Sequence, residues 1–117
     1  MDQLKLLDAL TENSTLSEIQ SYIGKVTELR GFAGQPVQES MLLLLEEADE
    51  LAKAIRKAAT RMSVDPDKMY NYNSVESEAA DVFFVLAAVC NQMGVNLFEA
   101  MKAKEKENCK RNWSFER

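Results

Sequence analysis

Apolar residues recur along this chain with the period of a helix. Leu16, Ile19, Tyr22, Ile23, Val26 and Leu29 fall on the i, i+3, i+4, i+7 spacing of one helical face. Leu4, Leu7 and Leu10 repeat at every third position near the start. The pattern predicts a short helix over 2–11, a break at Asn13-Ser14-Thr15, and a second helix from Leu16 to about Arg30. Thr15 or Ser17 can cap the second helix, with Glu18 in its first turn. Gly31, Gly34 and Pro36 punctuate a loop over 31–36. A long helix follows, from about Val37 to Met62, with no breaker inside it. Residues 63–73 read as a connection around Pro66, ending in the polar-aromatic run Tyr70-Asn71-Tyr72-Asn73. Ser74 can cap a helix over Val75–Met93, which Gly94 ends, and Asn96 can cap a last one over 97–111. The tail from Trp113 reads as loose or docked on a partner.

The Val75–Met93 segment departs from simple amphipathicity. Val82, Phe83, Phe84, Val85, Leu86, Ala87, Ala88 and Val89 make it apolar on every side, which predicts a central helix with neighbours all round. With only four glycines and two prolines in 117 residues, long helices are favoured over a turn-rich β fold. Apolar residues make up 46% of the chain, enough for a globular core. The expected fold class is all-α: a single domain over 1–117, built as an antiparallel bundle of about four helices and completed by dimerisation, because a central helix this apolar needs more cover than one chain supplies.

Acids interrupt this apolar frame in two places. With Glu46 set at zero and about 100° per residue, Glu50 falls near 40° and Glu47 near 100°, among Leu43, Ala54, Ala58 and Leu51 at roughly 60–140°. Glu47 thus points to the side that should be buried, while Asp49, Lys53 and Arg56 point to solvent. Glu78 and Asp81 have the same spacing of three on the apolar helix. Residues three apart on a helix are neighbours, so each pair forms a two-carboxylate claw. A connection of this length allows the two helices to pack antiparallel, which sets the claws face to face. Four carboxylates in one place cannot all remain ionised unless a divalent cation neutralises them. The chain has no histidine, which excludes the common zinc sites and the usual general base. An all-oxygen set of Glu47, Glu50, Glu78 and Asp81 suits magnesium or manganese better than calcium. Glu46, beside the claw and nearer solvent, is the candidate base for an attacking water.

The last helix carries the opposite sign. Lys104, Asn108 and Arg111 recur at i, i+4, i+7 and can meet phosphate oxygens, although cations there also complement the helix dipole. Phe32 and Trp113 can stack on a base or fill a core edge or interface. A net charge of −5 makes a nucleic-acid polymer an improbable partner. Cys90 and Cys109 form no CxxC and no disulfide framework, which fits a reducing compartment, and Cys90 reads as a core filler. The start Met1-Asp2-Gln3-Leu4-Lys5 lacks the features of a secretory leader, and no apolar run reaches membrane-spanning length. The expected location is cytoplasmic, with no membrane partner.

These residues resemble the MazG-type all-α nucleoside triphosphate pyrophosphohydrolases. The family pattern of EExxE followed by ExxD stands here as Glu46-Glu47-Ala48-Asp49-Glu50 and Glu78-Ala79-Ala80-Asp81. The flanks follow it too: Glu28-Leu29-Arg30-Gly31-Phe32, Leu51-Ala52-Lys53-Ala54-Ile55-Arg56-Lys57, Val82-Phe83-Phe84-Val85-Leu86 and Gly94-Val95-Asn96-Leu97, then Lys104, Asn108, Arg111 and Trp113. The similarity spans about residues 16–113 and leaves the first 15 unassigned. It implies cleavage of an NTP or dNTP between the α and β phosphates, giving a monophosphate and pyrophosphate in nucleotide-pool house-cleaning. By the same resemblance Glu47, Glu50, Glu78 and Asp81 hold magnesium, Lys104, Asn108 and Arg111 meet the phosphates, and the chain forms a homodimer or a dimer of dimers. Asp49 departs from the pattern, since many members carry a small residue there. The alternatives are a helical nucleotide-binding or regulatory dimer that turns over little, and a purely structural dimer.

Overall fold

The computed structural model describes residues 2–59 and 74–114. It is all-helical among the described residues, with α1 Gln3–Asp8, α2 Leu16–Leu29, α3 Val37–Ala59, α4 Val75–Gln92 and α5 Leu97–Asn108. The expected continuation of α3 to Met62 and the 63–73 connection lie outside the described residues.

The caps follow from side-chain chemistry. Thr15, rather than Ser17, caps α2 in a full capping box: its hydroxyl accepts from the Glu18 amide at 3.1 Å, and Glu18 accepts from the Thr15 amide at 2.9 Å. The Thr15 amide, and after it the Thr15 hydroxyl, hold the Glu18 carboxyl below its ordinary range. Ser74 accepts from the Ser77 amide at 3.1 Å, and Asn96 from the Glu99 amide at 2.9 Å. Gly31 and Gly94 take positive φ, at 82° and 68°, where α2 and α4 must stop. Two helices are shorter than the pattern predicts. α1 ends at Asp8 because Thr11 and Ser14 offer the next amides local side-chain partners. α5 ends at Asn108, where the Lys110 and Arg111 amides turn to carbonyls only three residues back.

α3 and α4 form the principal packed pair. They run antiparallel: Gln92 at the end of α4 donates to the Gln35 carbonyl ahead of α3 at 2.6 Å. α2 packs across α4, α1 packs on α2, and α5, bent by 96° from α4, returns to α2. Ile23 and Val26 of α2, Ala54 of α3, and Val85 and Ala87 of α4 are the buried apolar residues. The expectation that α4 is covered on every side does not hold within one chain. Phe83 and Leu86 remain 38% exposed. Met41, Leu42, Leu45 and Ile55 of α3 are more exposed still, at 42–63%. α2 and α3 cover only part of the α4 surface, and no other described helix takes the remainder. Cys90 is half-buried, as a core filler should be, and burial raises its thiol pKa. No single described helix is long and apolar enough to cross a membrane.

Gln20 joins three elements. Its amide nitrogen donates to Asn91 Oδ1 at 3.1 Å and to the Val95 carbonyl at 2.6 Å, and its oxygen accepts the Leu97 amide at 2.9 Å. Asn91 Nδ2 returns a bond to the Gln20 carbonyl at 3.0 Å. Gly24, one turn along α2, leaves room for this asparagine, whose amide nitrogen stands 3.3 Å from where a Cβ would be. Gln20 is only 6% exposed, so an apolar replacement strands its partners. Gln20→Leu should cost about 2–3 kcal/mol in urea denaturation, and hydrogen exchange at the Leu97 amide should accelerate more than exchange within α3.

Candidate functional site

The antiparallel α3–α4 pair brings Glu47 against Glu78 and Asp81. One carboxylate oxygen from each lies within 4.8 Å of the other two. Glu78 is buried at 2% exposure, Glu47 is half-buried and Asp81 is exposed, so the group opens from the helix seam toward solvent. Glu78 occupies the first turn of α4, where the helix dipole favours negative charge. Glu47 sits in the middle of α3 and has no such help. Its carboxyl is pushed above the ordinary range, first by burial and then by Asp81, Glu78, Glu50 and Glu46 in that order.

Three of the four expected ligands therefore meet. Glu50 stands one turn away with its Oε1 3.4 Å from Lys53 Nζ, while Asp49 takes the same lysine at 3.3 Å. Asp49, then Glu50, raise the Lys53 pKa. Both carboxylates are about half or more exposed, so these are weak surface pairs. Glu46 is exposed beside the group, as its helical position predicts. The donor set fits a hard divalent cation, because it is all oxygen and carries repulsion that such an ion removes.

A cavity of about 360 Å³ opens along the same α3–α4 pair, and none of the acids lines it. Arg30 of α2, Phe32 of the following loop, Leu43 of α3, and Phe84 and Val85 of α4 contribute its walls. Leu43 lies one turn before Glu47, and Phe84 one turn after Asp81. Phe32 lines this cavity at 54% exposure. Trp113 does not. Its Nε1 donates to the Asn108 carbonyl at 2.9 Å, and its ring lies 5.8 Å from the Arg111 guanidinium carbon.

The expected phosphate-binding face is rearranged as well. Lys104 pairs with Glu107 at 3.3 Å, the Asn108 amide donates to Glu105, and Arg111 lies beyond the helix end, off the face it was to share. α5 packs on α2 rather than on the acid-bearing pair, so one chain does not bring these groups to the carboxylates. Arg30, by contrast, reaches the cavity without having been singled out from the sequence. A cation at a helix end immediately before a glycine and an aromatic residue was the available signal.

Residues 35–114 match the family model of the MazG nucleotide pyrophosphohydrolase domain. No curated protein and no solved structure matches the chain. The matched stretch includes all five acids but begins after α2.

The raised Glu47 pKa fixes a sign for pH dependence. In the window above the reference value of 4.5, the folded chain keeps a proton that the unfolded chain has released, so this residue's contribution to stability falls as pH rises. Glu47→Gln should therefore melt progressively higher than wild type as metal-free samples are taken from acidic to neutral pH. Millimolar magnesium should close or reverse that gap by stabilising the wild type alone.

Proposed function

The chain belongs to the MazG nucleotide pyrophosphohydrolase family, and from that premise we propose that it hydrolyses ribo- or deoxyribonucleoside triphosphates between the α and β phosphates. Water adds to one of the two phosphorus atoms, the bridging P–O bond breaks, and the monophosphate separates from pyrophosphate. The water's proton passes to a carboxylate. The observation that carries this reading is the convergence of Glu47, Glu78 and Asp81 within 4.8 Å on the α3–α4 pair, one helical turn from residues that line an apolar cavity. A purely structural bundle would be better served by leucine than by Glu78 at 2% exposure.

Glu47, Glu78 and Asp81 would hold magnesium, or manganese in its place, and Glu50 would join them by releasing Lys53. When bound, the ion neutralises the acids and polarises a phosphoryl oxygen. Glu46 lies outside that set and faces solvent, so we assign it the proton-accepting role, with Glu47 as the other carboxylate near enough to serve. The cavity seats the nucleoside, with Phe32 at its rim.

A homodimer belongs to the same proposal. Met41, Leu45 and Ile55 repeat on one face of α3, and Phe83 and Leu86 stand exposed on α4. A second copy would cover both stripes. It is also what the phosphate-binding role of Lys104, Asn108 and Arg111 requires, since α5 of the same chain packs elsewhere.

Incubation with each NTP and dNTP plus magnesium should yield monophosphate and pyrophosphate. Release of diphosphate and orthophosphate, or nucleotide-dependent stabilisation without turnover, overturns the reading. Glu46→Gln should lower kcat by about 100-fold or more while nucleotide binding persists. Sedimentation should show a dimer, and Leu45→Glu should shift it to monomer.

A further inference from the structure

Arg30 is held on two sides and free on a third. Its guanidinium carbon lies 5.5 Å from the centroid of the Phe84 ring. Its Nε donates to Gln3 Oε1 of α1 at 3.0 Å. Among the described residues no carboxylate stands within ion-pair distance of it, and its two terminal nitrogens have no hydrogen-bond partner. A fixed planar fork, with its Nη edge uncommitted, therefore stands in the wall of the cavity.

The other polar side chains lining that cavity are largely spoken for. Thr27 donates to the Ile23 carbonyl, Ser40 donates to Gln35 Oε1, and Asn91 is exchanged with Gln20. Gln92 spends its amide nitrogen on the Gln35 carbonyl, leaving one acceptor, and Gln35 keeps one donor in balance. Arg30 tips the remainder toward donation. A volume of about 360 Å³ suits a small ligand rather than a peptide.

We propose that Arg30 is the base-reading residue of this cavity, selecting nucleotides whose base presents ring carbonyl acceptors (uracil, thymine, guanine, hypoxanthine) over those that present an exocyclic amine at the same position (cytosine, adenine). The inference rests on the cavity seating the nucleoside of the proposed reaction. The physical reason is asymmetric. A carbonyl facing the guanidinium gains a charge-assisted hydrogen bond. An amine facing it sets donor against donor and leaves both unpaired in an apolar enclosure. Arg30 is the C-cap of α2, ahead of the residues that match the family model, so this reading depends on how α2 is placed against α4.

The test compares kcat/KM for dUTP with dCTP, and for ITP with ATP, pairs that differ at the oxo or amino position. Kd values for the α,β-methylene analogues of the same nucleotides, measured with magnesium, run alongside. Wild type should favour the oxo member of each pair by about tenfold or more, the discrimination a well-placed arginine supplies. Arg30→Gln should bring the ratio toward one, and Arg30→Lys, which keeps the charge but loses the fork, should reduce it. Turnover without discrimination overturns the inference while leaving the hydrolase reading intact. So does an Arg30→Gln defect of equal size on every base, which would mark a phosphate contact. If the analogues bind with the predicted ratio but nothing is cleaved, base reading stands and hydrolysis falls. If nothing binds and nothing is cleaved, both fall.

Discussion

Mutual repulsion among carboxylates held by two packed helices is the constraint on which the rest of the molecule depends. Two unit charges no more than 4.8 Å apart repel by at least about 3 kcal/mol at an effective dielectric near 20, less where solvent reaches Asp81. The chain maintains that arrangement through the most extensive helix–helix contact it makes, α3 against α4. Rotating either helix to relieve the acids would withdraw Val85 and Ala87 of α4 or Ala54 of α3 from the core. The same packing that buries apolar residues therefore keeps the acids together. The elevated Glu47 pKa reflects its burial first and the neighbouring acids second. A doubly charged ion bound there, as proposed, would relieve that repulsion, and an all-oxygen set suits a cation of small radius.

The helices were legible in the sequence because their signals are local. Thr15 with Glu18, Ser74 and Asn96 each satisfy amides within three residues, and Gly31 and Gly94 stop helices by backbone conformation alone. The acid pairs were legible for a related reason: a spacing of three on a helix is a contact whatever the tertiary fold. Three properties were not local. Glu50 was expected beside Glu47, but Lys53, one turn onward, offers it an opposite charge. Arg111 was placed on a helical face that ends before reaching it, because the chain tightens into short turns after Asn108. Arg30 acquires meaning only when Phe84, distant in sequence, comes beneath it. The apolar count on α4 was right, yet its cover depends on how many neighbours one chain can supply, which composition does not state.

α2 links features that would otherwise be independent. Its first half carries Gln20, which docks the turn between α4 and α5, and its last residues deliver Arg30 to the cavity. Val26, fully buried between them, fixes the helix against α4. A shift of α2 would therefore move the base-facing wall and the root of α5 together, while leaving the α3–α4 acids in register. Gln3 extends the coupling to α1, since it holds the Nε of the same arginine.

On the proposed reading, bond cleavage and substrate choice fall to different parts of the chain. The acids lie within the span that matches the family, on two helices whose contact cannot change without loss of the core. The cavity wall that faces the base comes in part from α2, outside that span, through side chains at its exposed end. An exposed arginine held by one ring contact and one side-chain hydrogen bond can be exchanged at smaller cost to stability than Glu78, which is buried at 2%. Chemistry built on buried, repelling groups is rigid by necessity. Recognition built on a rim cation is free to vary, and the physical separation of the two lets one scaffold keep its reaction while its preferred base changes.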